Sequence, residues 1–254
     1  MRVAVKAQGN LPKVQIEGNE VIERIRQGLG LLARYHHHEV KNLELIPKEG
    51  PLLIIINHSL ATYDGFLLGK AIAEGTGRMP RGLGDDLLFT LPYVQDWCWD
   101  VGLVPASPKN ALELLGRGEL VALAPGGMRE SLRSSKDRYK VLWQDRKGFV
   151  RLALEAQVPV ILAACPMSDR IFKVYDSNWT KQIYELFHFP FPLFRGMGPT
   201  LLPRPVRLTH FLKGPFLPEL ELGELPEEAV QRFHDLLVKE MESLLTSRDQ
   251  RHQA

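Results

Sequence analysis

His58 and Asp64 stand six residues apart in Leu52-Leu-Ile-Ile-Ile-Asn-His58-Ser-Leu-Ala-Thr-Tyr-Asp64-Gly, directly behind an unbroken apolar run. A neutral imidazole held by a carboxylate is a general base, suited to taking a proton from a hydroxyl or a thiol. On one continuous helix an i,i+6 pair points to different faces, so the two meet only if the chain turns between them. The same residues also fit a histidine satisfied at a strand end and an aspartate capping a helix. A second group, Pro125-Gly126-Gly127-Met128-Arg129-Glu130, repeats the arrangement behind Leu120-Val-Ala-Leu-Ala124. Adjacent glycines let a backbone approach a ligand closely, and Arg129 is a forked cation suited to phosphate or carboxylate. A tight turn with a surface Arg–Glu pair is the plainer reading of that segment. The run His36-His-His38 cannot point one way on a helix or strand, and no metal is expected there.

Both groups need strands to place them. Leu52–Ile56 is too short for a membrane span and reads as a strand buried on both faces, as do Leu120–Ala124 and Pro159–Ala164. His58 then lies just beyond a strand's carboxyl end, where open α/β sheets usually bind ligands. Leu43–Ile46, Leu103–Val104 and Val206–Leu212 are further strand candidates. Helices are expected at 20–35, where Val21, Ile22, Ile25, Leu29 and Leu32 keep helical spacing, and at Asp64–Glu74, ended by Gly75 and Gly77. Others are expected at Lys109–Leu115, Lys147–Gln157 and 227–245, with Pro226 near the start of the last. Strands alternating with helices predict an α/β fold: one domain, a mostly parallel or mixed central sheet, helices on both faces. An amphipathic helical segment at 1–39 would precede a main domain at 40–254.

A chain of 254 residues with 44% hydrophobic and 24% charged residues is long and apolar enough to bury a full core. The net charge of +2 hides an uneven distribution: residues 129–151 carry eight Lys/Arg against three Asp/Glu, and 219–242 carry eight Asp/Glu against two Lys/Arg. Two cysteines, Cys98 and Cys165, make no disulfide framework, so a reducing compartment is expected. No basic-then-apolar leader pattern opens the chain and no run is long enough to span a bilayer, so a cytoplasmic protein touching a membrane from one side is the expectation. Nucleic acid is not an expected partner. Trp97 and Trp99 around Cys98 read as core or interfacial packing.

Taken together these segments resemble the glycerolipid (lysophospholipid) acyltransferase superfamily. There a His-(four residues)-Asp motif follows one strand and a Pro-Glu-Gly-Thr-Arg-like motif follows a later one. His58 and Asp64 match the first with one extra residue between them; Pro125, Gly126, Gly127 and Arg129 match the second in a Pro-Gly-Gly-x-Arg-Glu form. That form, with Arg146-Lys-Gly-Phe149, Val158-Pro-Val-Ile-Leu162 and Phe189-Pro-Phe-Pro-Leu-Phe-Arg-Gly-Met-Gly198, resembles the branch of type 2 diacylglycerol acyltransferases and plastid phytyl ester synthases. The likeness runs from about residue 40 to residue 216. The extra residue puts Tyr63 where the commoner spacing has its acid. A tyrosine offers no carboxylate charge at neutral pH, so the role is assigned to Asp64. Members that use glycerol phosphate carry an Arg in the block corresponding to Gly102-Leu-Val-Pro-Ala-Ser107, which has none here.

The resemblance implies acyl transfer from a thioester, acyl-CoA, to a lipid hydroxyl at a membrane surface, without a bound cofactor. His58 would be the base and Asp64 its orienting acid. Backbone N–H groups at Gly126 and Gly127 would meet the oxyanion, with Arg129 and Glu130 in the substrate site. Lys136, Arg138, Lys140, Arg146 and Lys147 would face the phosphates of the donor or a headgroup; a solvated loop is the other reading of that run. Phe189, Phe191 and Phe194 would line an acyl groove, dip into a bilayer or pack inside. The first helix, with Arg24, Arg26 and Arg34 beside its apolar face, fits either an interfacial helix or one docked on the sheet. No Gly-x-Ser-x-Gly elbow occurs, and Ser59 is not expected to be acylated. The missing Arg favours an uncharged acceptor, a neutral glycerolipid or long-chain alcohol. Lysophospholipid or lysophosphatidic acid acylation, hydrolysis of a thioester or lipid, and lipid binding without turnover are the alternatives.

Overall fold

The computed structural model describes residues 11–12, 20–176 and 192–247. The three apolar runs become the middle of a seven-stranded sheet. In chain order the strands are β1 (Glu39–Lys41), β2 (Leu52–Ile56), β3 (Arg81–Gly84), β4 (Leu103–Pro105), β5 (Leu120–Leu123), β6 (Val160–Ala164), the short hairpin β7 (Lys173–Val174) with β8 (Phe194–Arg195), and β9 (Thr209–Phe216). Their order across the main sheet is β1-β9-β6-β2-β5-β3-β4. All pairs are parallel except β6 with β9. β2 lies between β5 and β6, with Leu53 opposite both Val121 and Val160. The chain therefore leaves β2, β5 and β6 at one edge, side by side. That adjacency is what the two motifs share.

Helices cover both faces: α1 (Glu20–Tyr35), α2 (Tyr63–Thr76), α3 (Val94–Asp100), α4 (Pro108–Gly116), α5 (Gly127–Ser131), α6 (Gly148–Ala156) and α7 (Pro226–Thr246). Strand alternation sends Leu53 and Ile55 to one side, where they pack with Leu114 of α4, Val150 of α6 and Leu237 of α7. Leu52 and Ile54 go to the other, against Leu68 and Ile72 of α2. All four strand residues are fully buried, which explains the continuous apolar run. Truncating any of them to Ala would cost about 2–5 kcal/mol in transfer and cavity energy. A third cluster, Ala61, Leu67, Met167, Ile171 and Leu208, receives Leu29, Leu32 and Ala33 of α1, so the first helix docks on the body of the protein. This is a single mixed α/β domain.

Two expectations change. Leu43–Ile46 is not a strand: Leu43–Leu45 is a turn of 3-10 helix behind Asn42, which sits at φ 62° with its side chain donating to Leu212 O. The edge strand comes earlier, at Glu39–Lys41, so a boundary at 39/40 cuts through β1. β3, a strand without an apolar run, holds Arg81 buried, with its Nη1 3.1 Å from Glu119 and its Nε donating to Gly102 O.

Candidate active site

His58 emerges two residues past the end of β2. Its neighbour Asn57 is buried and accepts the Cys165 N–H at 2.7 Å, tying the end of β2 to the end of β6. The His58 N–H donates to Glu130 Oε2 at 3.2 Å, tying the same turn to α5 behind β5. The imidazole is half-buried and bonded to the Ser59 backbone; burial holds its pKa down to about 4, the positive charge of Arg133 acting in the same direction. At neutral pH it is therefore the free base.

Asp64 opens α2 and is buried, with Ser59 Oγ donating to its Oδ1 at 3.4 Å. Burial pushes its carboxyl up to about 6, against a hydrogen bond from Ser168. Among the described residues no hydrogen bond joins its side chain to the His58 ring. Ser59, buried and turned to Asp64, serves the acid and does not face solvent as a nucleophile would. Tyr63, which takes the acid's place in the commoner spacing, donates its hydroxyl to His36 Nε2 at 2.7 Å, while His36 Nδ1 donates to Val206 O at 2.8 Å. It fastens α2 to the end of α1.

The glycine pair turns the chain between β5 and α5. The Gly127 N–H closes the turn on Ala124 O at 3.1 Å, so it is committed and does not serve as a free oxyanion donor in this conformation. A side chain at either glycine meets protein: a Cβ at Gly126 would fall 2.3 Å from Glu130, and one at Gly127, already at φ 51°, would fall 2.8 Å from Arg146 Nη1. The pair makes room for two packed side chains. Glu130 is fully buried, 3.4 Å from Arg133 Nη1, and accepts the N–H of Leu142 as well as that of His58. It clamps the two loops together. Arg129 is exposed and bonded to Gln144.

The arginines of the basic run are bonded to protein as well. Arg146 donates to Pro125 O and Gly126 O, holding the glycine turn itself. Arg138 donates to Asp169 O and Ser135 Oγ. Lys140 pairs with Asp137, Lys136 lies 3.9 Å from Asp176, and Lys147 stands at the N-cap position of α6 without a side-chain capping bond. Of the aromatic candidates, Phe194 stacks edge-on against Phe172 at 5.2 Å; Phe189 and Phe191 lie outside the described residues.

Sequence reasoning missed Arg133, the cation whose charge acts on the histidine. It is buried and bonds Asp169 through Nε and Nη2, at 2.6 and 2.7 Å for Nη2. The cavity beside it, lined by Leu60, Ser131, Arg133, Arg138, Ser168 and Asp169, holds only about 10 Å³, room for one water. The signal for Arg133 was weak: one Arg among eight basic residues, with a partner far along the chain. His38 and His210, whose Nε2 and Nδ1 stand 2.9 Å apart beneath the site, were missed for the same reason.

The acyltransferase family model matches residues 37–165, half of the chain, including both loops. Curated relatives named "DGAT1/2-independent enzyme synthesizing storage lipids" are 32% identical in Bos taurus and 31% in Homo sapiens, each over 81% of this chain. The chain spans only 61% and 63% of their lengths. Among solved structures, the 1-acyl-sn-glycerophosphate (LPA) acyltransferase of Thermotoga maritima superposes with a TM-score of 0.57 over 90% of this chain and 81% of its own, at 16% identity.

Proposed function

The chain belongs to the acyltransferase family, and from that premise we propose that it moves a fatty acyl group from acyl-CoA to the hydroxyl of a neutral lipid. The observation that carries the reading is His58: a free-base imidazole at the carboxyl end of β2, bonded through its backbone to the loop that follows β5. In this reading His58 takes the proton of the acceptor hydroxyl as the oxygen attacks the thioester carbonyl, and CoA leaves as the thiol. Asp64, six residues further on, is the carboxylate assigned to support the imidazolium. The Gly126 N–H is the remaining candidate of the glycine pair for the oxyanion.

Two observations and one physical argument support an uncharged acceptor. Arg129, Arg133, Arg138 and Arg146 all have protein acceptors already. The cavity at Arg133 has no room for a phosphate. A phosphate left in the interior without a free cation would be strongly disfavoured. The relatives' name, which mentions storage lipids, points the same way.

The membrane side of the proposal rests on exposed apolar residues. Leu31 and Tyr35 on α1 and Met197, Leu201 and Leu202 beyond β8 are all open to solvent, and the Tyr35 hydroxyl donates to Pro203 O at 2.6 Å, joining the two segments. No helix among the described residues is long and apolar enough to cross a membrane. We place the protein on the cytoplasmic face of a bilayer, held peripherally.

The test is mass spectrometry of products from purified protein, mixed acyl-CoAs and a panel of diacylglycerol, monoacylglycerol, long-chain alcohol and lysophosphatidic acid. Esters of a neutral acceptor should dominate and vanish with His58→Ala. A kcat/KM for lysophosphatidic acid well above every neutral acceptor would overturn the acceptor; free fatty acid as the sole product would make the protein a hydrolase.

A further inference from the structure

Behind the proposed catalytic loop, three side chains from distant parts of the sequence converge in the interior. Asp64 opens α2, Cys165 follows the last residue of β6, and His210 lies on β9. Each is buried, at 3%, 0% and 2% exposure, and one ligand atom from each lies within 4.8 Å of the other two. A carboxylate, a thiol and an imidazole gathered this closely is an unusual way to fill an apolar interior. Three such groups in one place are, however, a complete protein ligand set for zinc, with a fourth position left for water.

The surroundings are arranged as those of a metal site are. A ligating histidine uses one ring nitrogen on the ion and gives the other N–H to an acceptor. His210 Nδ1 stands 2.9 Å from His38 Nε2, which leaves Nε2 for an ion and gives His38 the acceptor's part. A ligating carboxylate is itself hydrogen-bonded, and Asp64 Oδ1 accepts from Ser59 Oγ. Cys165 is fixed through its backbone N–H by Asn57. Zinc bonds of about 2.0–2.3 Å put tetrahedral ligand atoms about 3.6 Å apart, so side-chain rotations of about an ångström would close the set.

The geometry points to a zinc site formed by Asp64, Cys165 and His210, with His38 as its outer hydrogen-bond partner. Sulfur and imidazole select zinc over magnesium or calcium, which take oxygen ligands. Bound there, the ion would join the starts and ends of α2, β6 and β9 around the turn that carries His58. Its part is positioning: one oxygen of Asp64 goes to the ion and the second stays free for Ser59 or for His58. The inference does not depend on the acyl-transfer reading, though both use Asp64.

For that reason the test leaves Asp64 alone and reads the ion directly. The full chain, purified without chelator from zinc-supplemented cells, should hold about one equivalent of zinc by elemental mass spectrometry. Cys165→Ser and His210→Gln should each lose most of it, while Cys98→Ser, which changes a buried thiol outside the cluster, should keep it. Cobalt added to the apo-protein should give a thiolate-to-metal absorption band in the near ultraviolet that is missing from Cys165→Ser. Circular dichroism separates ligand loss from unfolding. A folded wild-type protein with neither stoichiometric zinc nor a cobalt–thiolate band overturns the site, and so does a Cys165→Ser protein that keeps both. Neither result bears on whether His58 supports acyl transfer.

Discussion

The loops after β2 and β5 lie side by side at one edge of the sheet, and they use polar residues in opposite ways. The β2 loop presents a half-buried imidazole whose ring is bonded to the neighbouring Ser59 backbone. The β5 loop is dense in charge, yet its charged side chains and the Gly127 N–H are bonded internally. Glu130 holds His58 and Leu142, Gly127 closes on Ala124, and Arg129 is bonded to Gln144. A forked cation in a glycine turn suggests a ligand when only the sequence is seen. With its partners counted, the β5 loop is the buttress of the β2 loop.

If that division holds, breaking the β2 loop should remove chemistry and leave the fold. His58→Ala should lower kcat/KM by about 10²–10⁴-fold, the usual worth of a positioned base, with an unchanged unfolding midpoint. Breaking the β5 loop should do the reverse. Glu130→Ala strips the partner from two N–H groups and from one side of Arg133, costing roughly 3 kcal/mol in urea unfolding. Its activity loss should track the unfolded fraction and fall mainly on kcat, since His58 loses its tether. Glu130→Gln, still able to accept from one N–H, should recover part of both. An unfolding midpoint for Glu130→Ala equal to wild type would reverse the roles assigned to the two loops.

The pH profile sharpens the same contrast. Burial lowers the His58 pKa from its ordinary value of 6.5 to about 4. The free base therefore persists as pH falls: protonation of His58 alone would leave about nine-tenths of kcat/KM at pH 5, and the acid-side loss should instead follow the buried Asp64 carboxyl near pH 6. Stability moves in the opposite sense to that of a salt-bridged histidine. The unfolded chain takes up the proton first, so the contribution from burying His58 neutral is complete above pH 6.5 and is lost as pH drops from 6.5 towards 4. An acid limb that remains near pH 6.5 in Asp64→Asn would show His58 exposed in the working enzyme.

How much of this was legible in the sequence depends on how far apart the interacting residues lie. β2, β5 and β6 announce themselves because strands buried on both faces are apolar at every position. β3 does not, since Arg81 stays charged in the interior by pairing with Glu119 across the sheet. Leu43–Leu45 looked like a strand because three residues carry too little periodicity to tell a strand from a turn. At the site, the positions of His58 and of the Gly126–Gly127 turn were readable from the strands before them. The duties of Glu130 and Arg133 were not, because their partners His58 and Asp169 are 72 and 36 residues away. Convergence of Asp64, Cys165 and His210 requires the order of β6 and β9 in the sheet, which no local pattern encodes.

The smallest expected effect is the one that most directly separates the two loops. Arg129 is exposed, its guanidinium rests on Gln144, and it makes no ion pair within the described residues. Were it a phosphate ligand for donor or acceptor, Arg129→Ala would remove a charge-assisted contact of about 1.5–3 kcal/mol and raise KM by tenfold or more. As a solvent-facing residue on the buttress it should change stability by less than about 0.5 kcal/mol and KM by about twofold at most. Running the assay at low and at physiological salt makes the distinction firmer, because a surface charge that merely raises the local concentration of acyl-CoA loses its effect with screening. A tenfold rise in KM that persists at 0.15 M salt (roughly an 8 Å Debye length) would return Arg129 to the substrate site. It would also make the β5 loop a binding element as well as a support.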